Sequence, residues 1–186
     1  MTTGFLRSPS SVPVPTRLGA FRWGHGKAPE GGGRPPETID GLLRPIVLGP
    51  QVGGAIVRAA RAAYPSEACG LLLGWDRGGA RCAARAIALA NRDIEKPGRR
   101  FLIDPSDWSS WDHRADREGW SIQGDFHSHP DGTSHPSEED LDAFWPTYVH
   151  GIVPVDATTV GPLAIYALDP ATRQAIRIPV RTGRSP

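Results

Sequence analysis

Residues 124–141, GDFHSHPDGTSHPSEEDL, bring three histidines, three serines and five carboxylates together in one short stretch. In an extended chain residues two apart share a face, so His127 and His129 would project side by side. Two imidazoles so placed can offer neutral nitrogens to a metal ion, or they can be two exposed histidines near a strand end. Ser137 and Asp140, three residues apart behind Pro136, match a helix N-terminus in which the serine caps and the aspartate reaches back. That cap accounts for both residues without any chemistry. A carboxylate in the first helical turn can also face the histidine pair, and Ser137 can cap while presenting its hydroxyl to a ligand. Two nitrogens and one carboxylate oxygen form a three-ligand set of the kind that holds catalytic zinc, with water in the fourth position. Zinc lowers the pKa of that water to about 7 and can polarise a carbonyl. A proton acceptor is also needed, and Glu138 and Glu139 are expected to point into solvent. His135 and the remaining acids of the stretch are read the same way.

The elements around this stretch must position it. PIVLG, from Pro45, reads as a short strand, and QVGGAIVRAARAAYP places Val52, Ile56, Ala59, Ala60 and Ala63 on one helical face that Pro65 stops. ACGLLLGW and RCAARAIALAN form a buried hairpin, and RFLID reads as a further short strand. DPSDWSSWDHRADREGW predicts a helix over 105–118, with Pro105 at its start and Trp108, Trp111 and Ala115 at helical spacing. SIQGDFHS returns to strand alternation, SEEDLDAF is a short helix, and YVHGIVPV, GPLAIYAL and RQAIRIPV are three closing strands. Strands and helices in this irregular order predict an α/β or α+β domain, a central mixed sheet flanked by helices. Trp108, Trp111, Trp120 and Trp145 read as packing residues. His113 and His150 have no evident partner, and PGRR at 97–100 reads as a solvated loop.

Composition narrows the function classes. With 186 residues there is room for one domain of ordinary size. Lys and Arg number 21 against 20 Asp and Glu, so no overall field argues for nucleic acid or an anionic membrane. Cys69 and Cys82 lie in apolar runs and read as core thiols rather than a disulfide framework. No apolar run is long enough to span a membrane, and the first residues lack the apolar stretch of a secretory signal, so the expected compartment is the cytoplasm. Residues 1–44 are rich in Pro and Gly, with FRWGH at 21–25 as their only apolar patch, and are expected to form a flexible tail ahead of a domain spanning 45–182.

The spacing His127-Ser128-His129-Pro130, then Pro136-Ser137-Glu138-Glu139-Asp140, resembles the signature of the JAMM (MPN-plus) zinc metalloproteases, in their compact prokaryotic JAB-domain form. YPSEACGLLLG at 64–74 is similar to the family's segment carrying its glutamate, and the likeness extends over roughly residues 46–180. The resemblance implies a cytidine-deaminase-like JAB/MPN fold and one zinc ion per chain held by His127, His129 and Asp140. It also implies Glu67 as general base toward the water and then acid toward the leaving amine, and Ser137 as a donor to the tetrahedral oxyanion. Family members cleave amide bonds after the C-terminal glycine of ubiquitin or ubiquitin-like β-grasp proteins. The short intervals between these residues leave no space for the large insertions of polyubiquitin-selective relatives. The expectation is therefore release of a ubiquitin-like protein from its conjugates or its precursor. The alternatives are a peptidase freeing cysteine or another small product from a sulfur-carrier protein, and a non-catalytic scaffold. Neither the substrate's identity nor the oligomeric state is legible.

Overall fold

The computed structural model describes residues 39–77 and 80–183; the FRWGH patch and nearly all of the expected tail lie outside them. Twelve elements follow in chain order: α1 (Ile39–Leu42), β1 (Ile46–Leu48), α2 (Val52–Ala63), β2 (Cys69–Arg77), β3 (Ala80–Leu89), α3 (Pro105–Arg117), β4 (Ser121–Pro130), α4 (Glu138–Ala143), β5 (Val149–Val155), β6 (Ala164–Leu168), β7 (Ala175–Ile178) and β8 (Val180–Thr182).

All eight strands join one mixed sheet in the order β7-β6-β5-β4-β2-β3-β1-β8. Pairing is parallel for β1 with β3, β1 with β8 and β4 with β5, and antiparallel elsewhere. The sheet's two ends belong to one segment, because only Pro179 separates β7 on one edge from β8 on the other. Pro179 has no N–H to give a ladder, and its carbonyl accepts from Ile46 N at 3.0 Å. The sheet must therefore roll until its edges meet. The sequence reads RQAIRIPV as a single strand; it is two short ones serving opposite edges.

The roll creates two packing faces. Inside lies α2, whose Val52, Ile56 and Ala60 are buried among Leu72, Ala83, Phe126, Val149, Val153 and Ile165. Outside, α3 sets Trp108 and Ala115 over Leu71, Leu73, Ile122 and Tyr148. A smaller outer cluster joins Phe144, just past α4, to Ile152, Tyr166 and Leu168. Trp111, Trp120 and Trp145 pack at the rim of the α3 cluster, and both cysteines are buried thiols.

Two readings of the sequence shift. The packed domain begins ahead of residue 45: Leu42 is 3% exposed in the core, and the buried Arg81 guanidinium donates to the Leu42 and Gly41 carbonyls at 3.5 and 3.4 Å. RFLID is not a strand. Phe101 and Ile103 turn inward as strand residues would, but Leu102 N donates to the Asn91 side chain at 3.0 Å instead of joining a ladder. Among the described residues no helix is long and apolar enough to cross a membrane.

Candidate metal centre

Strand β4 carries the histidine pair. Its closeness to β5 depends on Gly124, where a Cβ would run into the Val149 carbonyl. A bulge against β2 between Leu72 and Leu73 fixes which face the following residues take, and beyond it Asp125, His127 and His129 alternate onto the face that α4 covers. After Pro130 the chain turns through Asp131, at a left-handed φ of 52° that Asp tolerates better than most residues, and Gly132.

Helix α4 carries the carboxylate. Ser137 is its N-cap, and the capping box is complete: Asp140 N donates to Ser137 Oγ at 3.1 Å and Ser137 N donates to Asp140 Oδ2 at 2.8 Å. The serine hydroxyl also donates to that oxygen, at 2.7 Å. The cap and the ligand readings thus describe the same pair, since the first turn presents Asp140 inward while Glu138, Glu139 and His135 stay exposed.

Three potential ligand atoms converge there. His127 Nε2 and His129 Nε2 are 2.9 Å apart, His129 Nε2 is 3.0 Å from Asp140 Oδ2, and His127 Nε2 is 3.3 Å from Asp140 Oδ1. Around a tetrahedral zinc with bonds of about 2.0–2.1 Å, ligand atoms stand about 3.3 Å apart. The separations of the two nitrogens from each other and from their nearer carboxylate oxygens are close to that size, the two histidines facing different oxygens of Asp140. The orientation of His129 fits as well: its Nδ1–H donates to the Thr133 carbonyl at 2.8 Å, which leaves Nε2 as the lone-pair nitrogen of a neutral ring. His127 is stacked on Phe101, with centroids 4.7 Å apart, which fixes its plane. The group as a whole could hold a metal ion. In the metal-free chain, burial pulls the His129 pKa down, but its hydrogen bond to Asp140, then the charges of Asp140 and Glu67, outweigh this and leave it raised.

Glu67 lies between α2 and β2 and is 3% exposed, although nothing in the local sequence singles it out. Its effect on His129 puts its carboxylate within electrostatic reach of the triangle. Two tethers hold its segment to the strand of histidines. Ser128, between the two histidines, donates its N–H to the Ala68 carbonyl at 3.0 Å, and its Oγ accepts from Ala68 N at 2.8 Å. Further out, Tyr64 OH donates to the Asp131 carboxylate at 3.2 Å. On the opposite side Glu67 N donates to the Pro97 carbonyl at 2.6 Å, while Asn91 Nδ2 donates to the Glu67 carbonyl at 3.1 Å and to the Arg100 carbonyl at 2.9 Å. The Asn91 oxygen accepts from Asp93 N and Leu102 N at 2.9 and 3.0 Å. The loop read as solvated at 97–100 is therefore the wall against which Glu67 is set.

Asn91 escaped the sequence reading, as did a second pair. Asp125, assigned to solvent with the other acids, is 2% exposed, and His150, assigned no partner, is 1% exposed with its Nδ1 2.7 Å from Asp125 Oδ2. A period-two signal was available, since Asp125, His127 and His129 alternate along one strand. His113 remains at the surface, bonded within its own helix to the Ser109 carbonyl at 2.7 Å.

A family model described as prokaryotic homologs of the JAB domain matches residues 50–173. The chain is similar to the solution structure of a protein from Desulfitobacterium hafniense, with 27% identity and a TM-score of 0.66 over 75% of this chain and 94% of that one. It is also similar to the solution structure of a protein from Salinibacter ruber, with 31% identity and a TM-score of 0.57 over 73% of this chain and 90% of that one. A JAB1/MPN domain protein from Archaeoglobus fulgidus matches at 23% identity and a TM-score of 0.44 over 72% of this chain and 97% of that one. No curated protein matches the chain.

Proposed function

The chain belongs to the prokaryotic homologs of the JAB domain, and on that premise we propose that it is a zinc-dependent peptidase cleaving the amide bond after the C-terminal glycine of a ubiquitin-like, β-grasp protein. The reaction would free that protein from a conjugate or a precursor in the cytoplasm. The observation that carries the proposal is the convergence of His127 Nε2, His129 Nε2 and the Asp140 carboxylate, whose oxygens lie 3.3 and 3.0 Å from the two nitrogens, with the buried Glu67 in electrostatic reach of His129.

The fit of the donor set supports zinc, held by His127, His129 and Asp140. Zinc, when bound, would supply Lewis acidity, bringing water to a pKa of about 7 and polarising a carbonyl. Glu67 is assigned the proton: its carboxylate takes one from the attacking water and returns it to the amine as the C–N bond breaks. Its side chain is buried, and the Ala68–Ser128 pairing ties its segment to the strand of the histidines. Ser137 is assigned the oxyanion, for which its hydroxyl hydrogen must turn away from Asp140 Oδ2, its partner here.

The closed sheet leaves few free edges for a substrate strand. One begins where β4 outruns β2: the ladder with β2 ends at His127 and Ser128 N–H still goes to the Ala68 carbonyl, while pairing with β5 continues to Pro130. Pro130 has no N–H, so this edge offers carbonyls to a substrate strand. We assign the extended tail to this overhang, where paired glycines let the scissile carbonyl come close to the ligand triangle.

The test uses zinc-loaded protein and a β-grasp protein whose Gly–Gly end is joined by an amide either to a fluorescent amine or to cysteine. Release of the fluorophore by wild type, lost by about 100-fold or more in Glu67→Gln with zinc content unchanged, is the expected result. Equal release by Glu67→Gln sinks the mechanism. Cleavage of the cysteine conjugate alone would move the reading to small-product release from a sulfur carrier, and cleavage of neither would favour a scaffold.

A further inference from the structure

Asp125 and His150 are buried, ionisable and outside the ligand set, yet they link the two elements that supply the ligands. On β4, Asp125 precedes His127 by two residues on the same face and is registered opposite His150 of β5. His150 Nδ1 is 2.7 Å from Asp125 Oδ2, and its Nε2 is 3.0 Å from the Trp145 carbonyl. The ring also stacks on Phe144, centroids 3.9 Å apart and planes 7° from parallel. Phe144 caps α4 and donates its N–H to the Asp140 carbonyl at 2.8 Å. A continuous path of contacts therefore runs from Asp125 through His150 and the end of α4 to Asp140.

We propose that Asp125 and His150 are positioning residues, a clamp that sets α4 against β4 and so fixes Asp140 relative to His127 and His129. This rests on reading the triangle as a metal centre. Stability alone is a poor reason for the pair. Asp125 Oδ1 is buried with no hydrogen-bond partner among the described residues, so His150 alone offsets a desolvated carboxylate. Apolar residues of similar volume usually serve stability as well or better, and the best-attested use of a buried polar pair is to enforce one register. Here the register enforced is that of two ligand-bearing elements otherwise joined by a seven-residue loop, 131–137. Groups that orient the ligands of a metal site typically cost 10- to 100-fold in affinity when removed.

The discriminating variant is Asp125→Leu/His150→Phe, which keeps an aromatic ring on Phe144 and removes the polar bridge. Wild type and variant are titrated with zinc against a chromophoric chelator and with cobalt by visible absorption, and the melting of the metal-free forms is compared. The expected result is a melting temperature at or above wild type, zinc affinity lower by about 10- to 100-fold, and an altered cobalt spectrum. Asp125→Asn should restore affinity and spectrum, because its amide can donate to Nδ1 while Nε2–H stays on Trp145. A folded double variant with wild-type affinity overturns the clamp, as does an Asn variant as weak as the double one. If neither variant folds, the pair is a stability element and the assignment fails. A wild-type chain that binds neither ion instead overturns the metal centre itself.

Discussion

Asp140 Oδ2 accepts from both the Ser137 N–H and the Ser137 hydroxyl, and His129 Nε2 stands 3.0 Å from the same oxygen. Two consequences follow for measurement. Ser137→Ala removes the cap and one of those donors, and should lower stability by about 1 kcal/mol in a denaturant titration. The second concerns pH. The His129 pKa is raised because Asp140 and Glu67 together outweigh burial, and a metal must displace the proton so held. Apparent zinc affinity should therefore climb as pH rises through the elevated value and level off above it, with proton uptake or release by calorimetry as the check. The linkage in the metal-free fold has the opposite sense. A raised folded-state pKa contributes stability that is fully present below the unfolded value and fades as pH rises through the folded one. At this scale the sequence was most legible, because fixed spacing in strand and first helical turn suffices to align His127, His129, Ser137 and Asp140. Glu67, Asn91 and the Asp125–His150 pair were not legible from residue types, because their surroundings come from segments tens of residues away.

Elements explain why Asn91 matters despite looking like an ordinary residue at the end of β3. Its amide donates to the carbonyls of Glu67 and Arg100, and its oxygen holds Asp93 N and Leu102 N, so one side chain joins the Glu67 segment to the 93–102 loop. That use of Leu102 N is also why RFLID, with strand-like alternation, failed to become a strand. Periodicity reports which side chains turn inward, not which backbone groups are taken. Asn91→Ala should leave zinc content intact and reduce turnover by about 100-fold, the scale expected when a reacting group is misplaced by about 1 Å. A loss confined to KM would argue against it. Gly124 makes the complementary case on β4. Any side chain there meets the Val149 carbonyl, so Gly124→Ala should spread β4 from β5, lower the melting temperature and weaken metal binding together.

The rolled sheet decides how these local devices become one cooperative molecule. Its edges are joined by a chain that passes from β7 to β8 across Pro179, so β1 is paired on both sides and the apolar face of α2 is buried against the sheet. Sequence patterning predicted a mixed sheet with flanking helices, which is what stands. It did not show the closure, because Pro179 looks like a strand end until both edges are seen. The ligand triangle lies outside this core, between β4 and the loop-borne α4, and the first turn of that short helix is held by its cap and by contacts past its end. A bound metal would join α4 to the sheet only in the folded state, so stability should depend on metal concentration. At zinc a hundredfold above its dissociation constant the gain is about 2.7 kcal/mol. For a domain of this size that corresponds to a rise of about 5–10 °C in melting temperature. A chelator should reverse the rise, and Asp140→Ala should abolish it while leaving a folded chain. A melting temperature indifferent to zinc in the wild type, with zinc demonstrably bound, would mean that the unfolded chain binds zinc as tightly as the folded one, and so that the folded arrangement of β4 and α4 adds nothing to the site.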